Sequence, residues 1–170
     1  MDPFSYGYNR ATPDDEYMNA TALVRQLVDI VAKNGNLLLN VGPRADGTIP
    51  RVEVDNLREA GKWIHAHEEA IFNTTYWFRR AEVRNEDSDV RFTQTAEALY
   101  ILSLRKPAGG RLVVEAPLPI MLGDDVSFMS AGDLVDVEWS FDGTSLSLVV
   151  DEDIVEQEAY CWVFKISYLV

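Results

Sequence analysis

The sequence has little of several things, and each shortage narrows what the chain can be. It carries one cysteine, Cys161, so no internal disulfide can form, and a thiol between Tyr160 and Trp162 in a strand-like run reads as a buried core residue. Its two histidines, His65 and His67, fall on one predicted helix with no cysteine nearby, which leaves a zinc site little to build on. Basic residues are scarce: 15 Lys and Arg stand against 28 Asp and Glu, for a net charge of −13. Nucleic acid and anionic membranes select surfaces rich in Lys and Arg, so neither is expected as a partner. There is no apolar run of 18 or more residues, and Met1-Asp2-Pro3-Phe4 has neither the basic nor the apolar region of a secretory leader. A soluble chain without membrane span or signal peptide is therefore expected. No internal repeat and no long linker break the sequence.

What is present centres on residues 36–50, Asn-Leu-Leu-Leu-Asn-Val-Gly-Pro-Arg-Ala-Asp-Gly-Thr-Ile-Pro. A helix-stop signal, Asn34-Gly35, precedes the apolar run Leu37 to Val41, and Gly42-Pro43 ends it. Continuous Leu and Val without alternation predict a strand buried on both faces, as in a parallel sheet covered by helices. Before it, Asn19 or Thr21 can cap a helix carrying Leu23, Leu27, Ile30 and Val31 at helical spacing, widened by Val24 and Val28. After it, Asp46-Gly47 turns the chain, and a second helix runs from about Pro50 to Ala70. Its predicted inner face is Val54, Leu57, Gly61 and Ile64, with Glu53, Arg58, Glu59 and Lys62 mainly outside. The N-terminal stretch Phe4-Ser5-Tyr6-Gly7-Tyr8-Asn9 reads as a loop carrying exposed aromatics.

From Trp77 onward the pattern changes to short β-branched and aromatic runs separated by turn residues. Strands are predicted at Val90 to Gln94, Ala98 to Leu104, Arg111 to Ala116, Val126 to Ser130, Val135 to Phe141, Ser145 to Val150 and Ala159 to Ser167. Asp142-Gly143 marks a hairpin turn. Seven such strands suggest an antiparallel sandwich, and 170 residues at 47% hydrophobic composition suffice for a real core.

Ser5-Tyr6-Gly7-Tyr8-Asn9, the run Leu27 to Pro43, and Ala45-Asp46-Gly47-Thr48-Ile49-Pro50, in that order, resemble the C-terminal third of the family 29 α-L-fucosidases. Gly61-Lys62-Trp63-Ile64, Glu69 to Thr74, Arg91-Phe92-Thr93 and Ala98-Leu99-Tyr100 extend the resemblance over essentially the whole chain. It implies an α+β architecture in which a helix–strand–helix remnant of a (β/α)8-like barrel, residues 1–74, is followed by an antiparallel β-sandwich, residues 75–170. A lone buried strand would lack its barrel neighbours. A homo-oligomer covering Leu37 to Val41 is the expectation that follows.

The resemblance also implies retaining hydrolysis of terminal α-L-fucosides. That reaction needs a nucleophile and an acid/base about 5 Å apart, and both family carboxylates lie upstream of the Ser-aromatic-Gly-Tyr motif, outside this chain. No catalytic residue carries over. Tyr6 does, as a substrate-binding aromatic, where the family usually has Trp or Phe against the sugar's methyl side. A fucosylated glycan or small fucoside is the implied partner, and no cofactor is implied. If the chain were active on its own, Asp46, Glu68 and Glu69 would be the carboxylates to test, although Asp46-Gly47 is explained by turn geometry alone. His65 and Glu69, four apart, can share a helix face as an exposed ion pair. Asp124-Asp125 and Asp151-Glu152-Asp153 lack a complete calcium-loop spacing and read as turns. Glu82, Glu86, Asp87 and Asp89 read as a solvated loop. The tryptophans Trp63, Trp77, Trp139 and Trp162 read mainly as core rather than a sugar platform. The alternative to a hydrolase is a catalytically inert carbohydrate-binding or accessory module built on the sandwich.

Overall fold

The structure is a computed structural model, which describes residues 1–86 and 88–168. Helix α1 (Ala20–Ala32) starts at Asn19, whose side-chain oxygen accepts the Ala22 N–H at 2.9 Å. It ends where Asn34 adopts φ 62° and the Gly35 N–H reaches back to the Ile30 carbonyl at 2.9 Å. Helix α2 (Arg51–Ala66) and the single turn α3 (Glu68–Ile71) replace the one long helix predicted from Pro50 to Ala70. The break is His67, fully buried, its ring stacked on Trp63 with centroids 4.5 Å apart and its nitrogens facing the Trp63 and Met129 carbonyls.

Among the described residues ten strands follow: β1 (Thr75–Tyr76), β2 (Glu82–Arg84), β3 (Asp89–Gln94), β4 (Ala98–Ser103), β5 (Arg111–Glu115), β6 (Asp125–Ser130), β7 (Asp133–Asp136), β8 (Glu138–Phe141), β9 (Ser145–Val149) and β10 (Trp162–Ser167). A short helix, α4 (Glu152–Val155), precedes β10. The larger sheet has the order β1-β3-β4-β10-β6-β7 with β2 also paired to β3, and the smaller sheet is β5-β9-β8, all antiparallel. Among the described residues there is no closed barrel, and no helix is long and apolar enough to cross a membrane.

Every predicted strand of the second half is present, with two instructive differences. The run Val135 to Phe141 is two strands: β7 pairs with β6 in the larger sheet, then the chain turns at buried Val137 and β8 joins the smaller sheet. A strand that switches sheets at a corner keeps its apolar character throughout, so composition shows no break. The last strand begins at Trp162 rather than Ala159, because Tyr160 sits at φ 70°. Asp142-Gly143 forms the expected hairpin turn, the Asp142 carboxylate accepting the N–H groups of Thr144 and Ser145.

The larger sheet is covered on both faces. Leu99 and Ile101 of β4, Phe164 and Ile166 of β10, and Phe128 of β6 point into the space between the sheets, against Leu112, Val114, Leu146 and Leu148. The alternate residues Tyr100, Leu102, Val163 and Met129 point the other way, against Leu23, Val24, Val28 and Trp63 of the helices. This is why all six residues of β4 are buried. The arrangement is three-layered, helices on sheet on sheet.

The segment Leu37 to Val41 departs from its predicted role. It is unpaired and not buried on both faces: Leu39 and Val41 pack on the helical core, while Leu38 is 87% exposed. An apolar run can fill the centre of a parallel sheet only where strands flank it, and none does among the described residues. Leu57 and Ile64 of the predicted α2 face pack on the helical core, but the buried face extends beyond them. Glu53 is only 1% exposed, and Ala60 and Trp63 join it inside.

Charge ties the helices to the sheet. Arg91 of β3, with a side chain 2% exposed, donates to Asp29 of α1 at 2.5 Å and to Asp89 at 2.6 Å. Lys33 bonds Asp29 at 2.9 Å, and Glu82 Oε2 lies 3.1 Å from both Lys33 Nζ and Arg84 Nη2. Glu82 and Asp89 thus belong to strands and an ion-pair network rather than a solvated loop; Glu86 is exposed, and Asp87 lies outside the described residues. Three carboxylates face three cations, so the buried guanidinium is compensated.

Burial pushes the Asp29 carboxyl up, but hydrogen bonds from Lys33 and Arg91 outweigh it and hold the group below the ordinary carboxylate range. Ionised Asp29 therefore contributes stability that is complete above the unfolded value, about 3.9, and is lost as pH falls through the lower folded value. Urea unfolding should show a steeper loss of stability on acidification for the unmodified chain than for Asp29→Asn. Arg91→Ala should cost about 3–5 kcal/mol at neutral pH by stranding its partners.

Candidate functional site

The N-terminal segment lies across the end of the unpaired run. The Asp2 carboxylate accepts the N–H groups of Phe4 at 2.8 Å and Ser5 at 3.2 Å and the Thr12 hydroxyl at 2.7 Å, which folds residues 2–12 into a compact loop. The Met1 ammonium donates to the Asn40 carbonyl at 2.5 Å, and the Asn40 side-chain amide donates to the Tyr6 carbonyl. At Gly42 the two segments touch. A Cβ there would stand 2.8 Å from the Tyr8 nitrogen and 2.9 Å from its Cα, closer than any side chain tolerates. The Gly42 N–H is held from below by the buried Glu53 carboxylate at 3.2 Å.

These contacts present Tyr6 and Phe4 to solvent, 83% and 73% exposed, beside a shallow hollow of about 350 Å³ lined also by Asp2, Ser5 and Asn40. An aromatic face next to an amide and a carboxylate is a chemistry that suits a sugar: apolar C–H surface on the ring, hydroxyls on the polar groups. Tyr8 carries the Arg44 guanidinium 5.5 Å from its ring centroid and helps to hold the loop after the run.

Of the carboxylates singled out by sequence, Glu68 and Glu69 share a groove and Asp46 lies apart from them. Asp46 accepts the Thr48 hydroxyl at 2.7 Å and the Thr48 N–H at 2.9 Å, and these bonds hold its carboxyl below the usual range; Gly47 follows at φ 83°. It is a turn residue, as its Asp-Gly pair suggests. Glu68 and Glu69 lie in a different place, on a groove of about 640 Å³ with Phe72, Thr95, Glu97 and Tyr100. Glu69 does not pair with His65. It accepts from Tyr100 at 2.6 Å and from Lys165, while His65 faces Glu68 at 3.5 Å. Burial raises the Glu69 carboxyl, yet Lys165 and Tyr100 outweigh that and set it below the ordinary range. An acid/base at neutral pH needs the opposite shift.

The other titratable groups have local explanations. Asp124 receives the Met121 N–H at 2.8 Å and Asp151 caps α4 through the Asp153 N–H at 2.9 Å. Among the described residues no group of three or more His, Cys, Asp or Glu is placed to hold a metal ion. Cys161 is fully buried, and burial pushes its thiol up. Trp63, Trp77 and Trp162 are buried and Trp139 packs against the sandwich core, so none forms an exposed platform. Sequence reasoning missed Glu53 and Asp2. An acid three residues after Pro50 in a helix's first turn signals a donor to be met there, and Asp2-Pro3 signals a local turn.

A sequence profile described as Alpha-L-fucosidase matches residues 1–69. The plasma alpha-L-fucosidase of Rattus norvegicus is 34% identical over 134 residues, covering 78% of this chain and 29% of that protein. The tissue alpha-L-fucosidase of Homo sapiens is 29% identical over 170 residues, 98% of this chain and 35% of that protein. A crystal structure of Thermotoga maritima alpha-fucosidase in complex with a mechanism-based inhibitor superposes with a TM-score of 0.84 at 31% identity, covering 96% of this chain and 37% of that one. The chain thus spans about a third of the length of the relatives it matches.

Replacing Gly42 by Ala should push the Tyr8 backbone away and loosen residues 1–12. Limited proteolysis should then cut this segment faster than in the unmodified chain, with helix content by circular dichroism unchanged.

Proposed function

We propose that this chain, which matches the Alpha-L-fucosidase profile over residues 1–69 and superposes on a Thermotoga maritima alpha-fucosidase over 96% of its length, supplies the sugar-facing rim and the supporting sandwich of an enzyme that hydrolyses terminal α-L-fucosides with retention. In this reading residues 1–74 are the end of the barrel and residues 75–170 the sandwich. Tyr6 stacks on the sugar's apolar side, and its phenol offers a hydroxyl where an apolar ring would offer none. The nucleophile and acid/base come from outside these 170 residues.

The observation that carries the reading is the separation of the available carboxylates. Asp46 is spent on a turn, Glu69 is bonded to Lys165 and Tyr100, and Asp46 does not line the groove on which Glu68 and Glu69 sit. Retention requires two carboxyl groups about 5 Å apart across one sugar, whereas Asp46 is bonded into its turn and Glu69 is engaged by Lys165 and Tyr100. The accessory-module alternative draws less support, since the sandwich turns its tryptophans inward and its exposed Phe78 lies beneath Arg79, whereas Phe4 and Tyr6 flank the hollow lined by Asp2 and Asn40.

The test pairs an assay with a binding map. The 170-residue chain should release nothing from an aryl α-L-fucoside, and L-fucose at millimolar concentration should shift the amide signals of residues 4–8, an effect that Tyr6→Ala removes. Turnover lost in Asp46→Ala, Glu68→Ala or Glu69→Ala would overturn the assignment of the carboxylates. Shifts confined to the sandwich would favour the accessory module.

A further inference from the structure

The end of α1 places an asparagine directly before a glycine, and each is there for a geometric reason. Asn34 sits at φ 62°, a conformation that asparagine tolerates better than most residues carrying a side chain. A Cβ on Gly35 would stand 2.9 Å from Ile30 Cγ2 and 3.2 Å from the Ile30 carbonyl oxygen, and the β-branched Ile30 has little freedom to yield. The bonds that close the turn require this path. The Lys33 and Gly35 N–H groups both reach the Ile30 carbonyl, at 3.2 and 2.9 Å, and the Asn34 N–H reaches that of Val31 at 3.0 Å. Of the asparagines in the sequence, only Asn34 precedes a glycine.

Asn-Gly is the pairing in which an asparagine side chain is most open to attack by its own main chain, because glycine puts no Cβ in the way of its nitrogen. We propose that Asn34 is a latent deamidation site, which the cap of α1 holds shut. The reaction needs only base and water. The Gly35 nitrogen gives up its proton and bonds to Asn34 Cγ, ammonia leaves, and a succinimide remains. Water then opens that ring at either carbonyl, giving aspartate or, with the main chain rerouted through the side-chain carbons, isoaspartate. In the folded chain the Gly35 N–H is committed to the Ile30 carbonyl, so the nitrogen neither loses its proton freely nor turns onto Cγ. Reaction waits for the last turn to open. The product does not close the same cap. Both forms add a negative charge at the C-terminal end of α1, where the helix dipole is already negative, and isoaspartate lengthens the main chain between the bonds to Val31 and Ile30. Lys33, which ties α1 to Asp29 and Glu82, adjoins this turn. A transient opening is thereby made a permanent loosening of the helix end.

The test compares the full 170-residue chain, folded and in urea, in one mildly alkaline buffer, with deamidation at Asn34 followed by peptide mass spectrometry. The folded chain should react at least about tenfold more slowly. That retardation should equal the protection of the Gly35 amide in hydrogen exchange, since both report one opening. Ala32→Gly weakens the last turn of α1 without touching the reacting pair. It should speed the reaction of the folded chain about fivefold and leave the rate in urea unchanged. If that variant does not fold, the exchange comparison on the unmodified chain decides alone. Equal rates in the folded and unfolded chain overturn the proposal. So does a retardation that departs about tenfold or more from the Gly35 protection, or a folded Ala32→Gly chain that reacts no faster.

Discussion

Burial of the larger sheet on both faces is the constraint from which the rest of the structure follows. Strands β4 and β10 send alternate side chains into the sandwich and into the helical layer, so neither layer can leave without exposing a row of Leu, Val and aromatic groups. A fully buried aliphatic or aromatic side chain is worth about 1.5–3 kcal/mol relative to exposure, and several are shared across this one sheet. Directional bonds fix how the helices sit on it. The Trp63 indole donates to the Cys161 carbonyl at 3.0 Å, the Thr93 hydroxyl to the Ala70 carbonyl at 2.7 Å, and Arg91 grips Asp29. All three are buried or nearly so, and losing any one would strand a polar group.

This anchoring explains how a short helical segment holds its shape without a closed barrel. The sheet supplies the apolar surface on which the helices rest. Among the described residues no strand flanks Leu37 to Val41, and Leu38 stands exposed there. The aromatic N-terminal loop is built on the same run: Asn40, Gly42 and Glu53 hold Tyr6 and Tyr8 in place through main-chain contacts.

Much of this was legible in the residues. The Asn19 cap, the Asn34-Gly35 stop, the Asp142-Gly143 hairpin and the inward tryptophans all follow from local chemistry, and the structure places them accordingly. What failed was any inference that needed a neighbour. The apolar run Leu37 to Val41 has the composition of a doubly buried strand, but burial requires flanking strands, and β4 holds that position instead. Glu53 reads as a solvent-facing helix residue until Gly42 is seen to need an acceptor. Helical spacing offers Glu69 to His65, yet Lys165, 96 residues later, claims it. Arg91 stands out only as a charge between Val90 and Phe92, and its partners Asp29 and Glu82 come from separate elements. The switch of Val135 to Phe141 between sheets leaves no compositional mark at all. For the candidate site, the aromatic loop was readable, while the separation of Asp46 from Glu68 and Glu69 emerged only from their partners in space.

The dependence of the helices on the doubly covered sheet is tested most directly by native-state hydrogen exchange. If the two layers form one cooperative unit, the most protected amides of α1, around Val24 to Val28, should exchange with the same free energy as those of β4 and β10, and denaturant should release them together. Exchange of α1 at a markedly lower free energy, with β4 still fully protected, would show that the helices open independently of the sheet and would contradict the account.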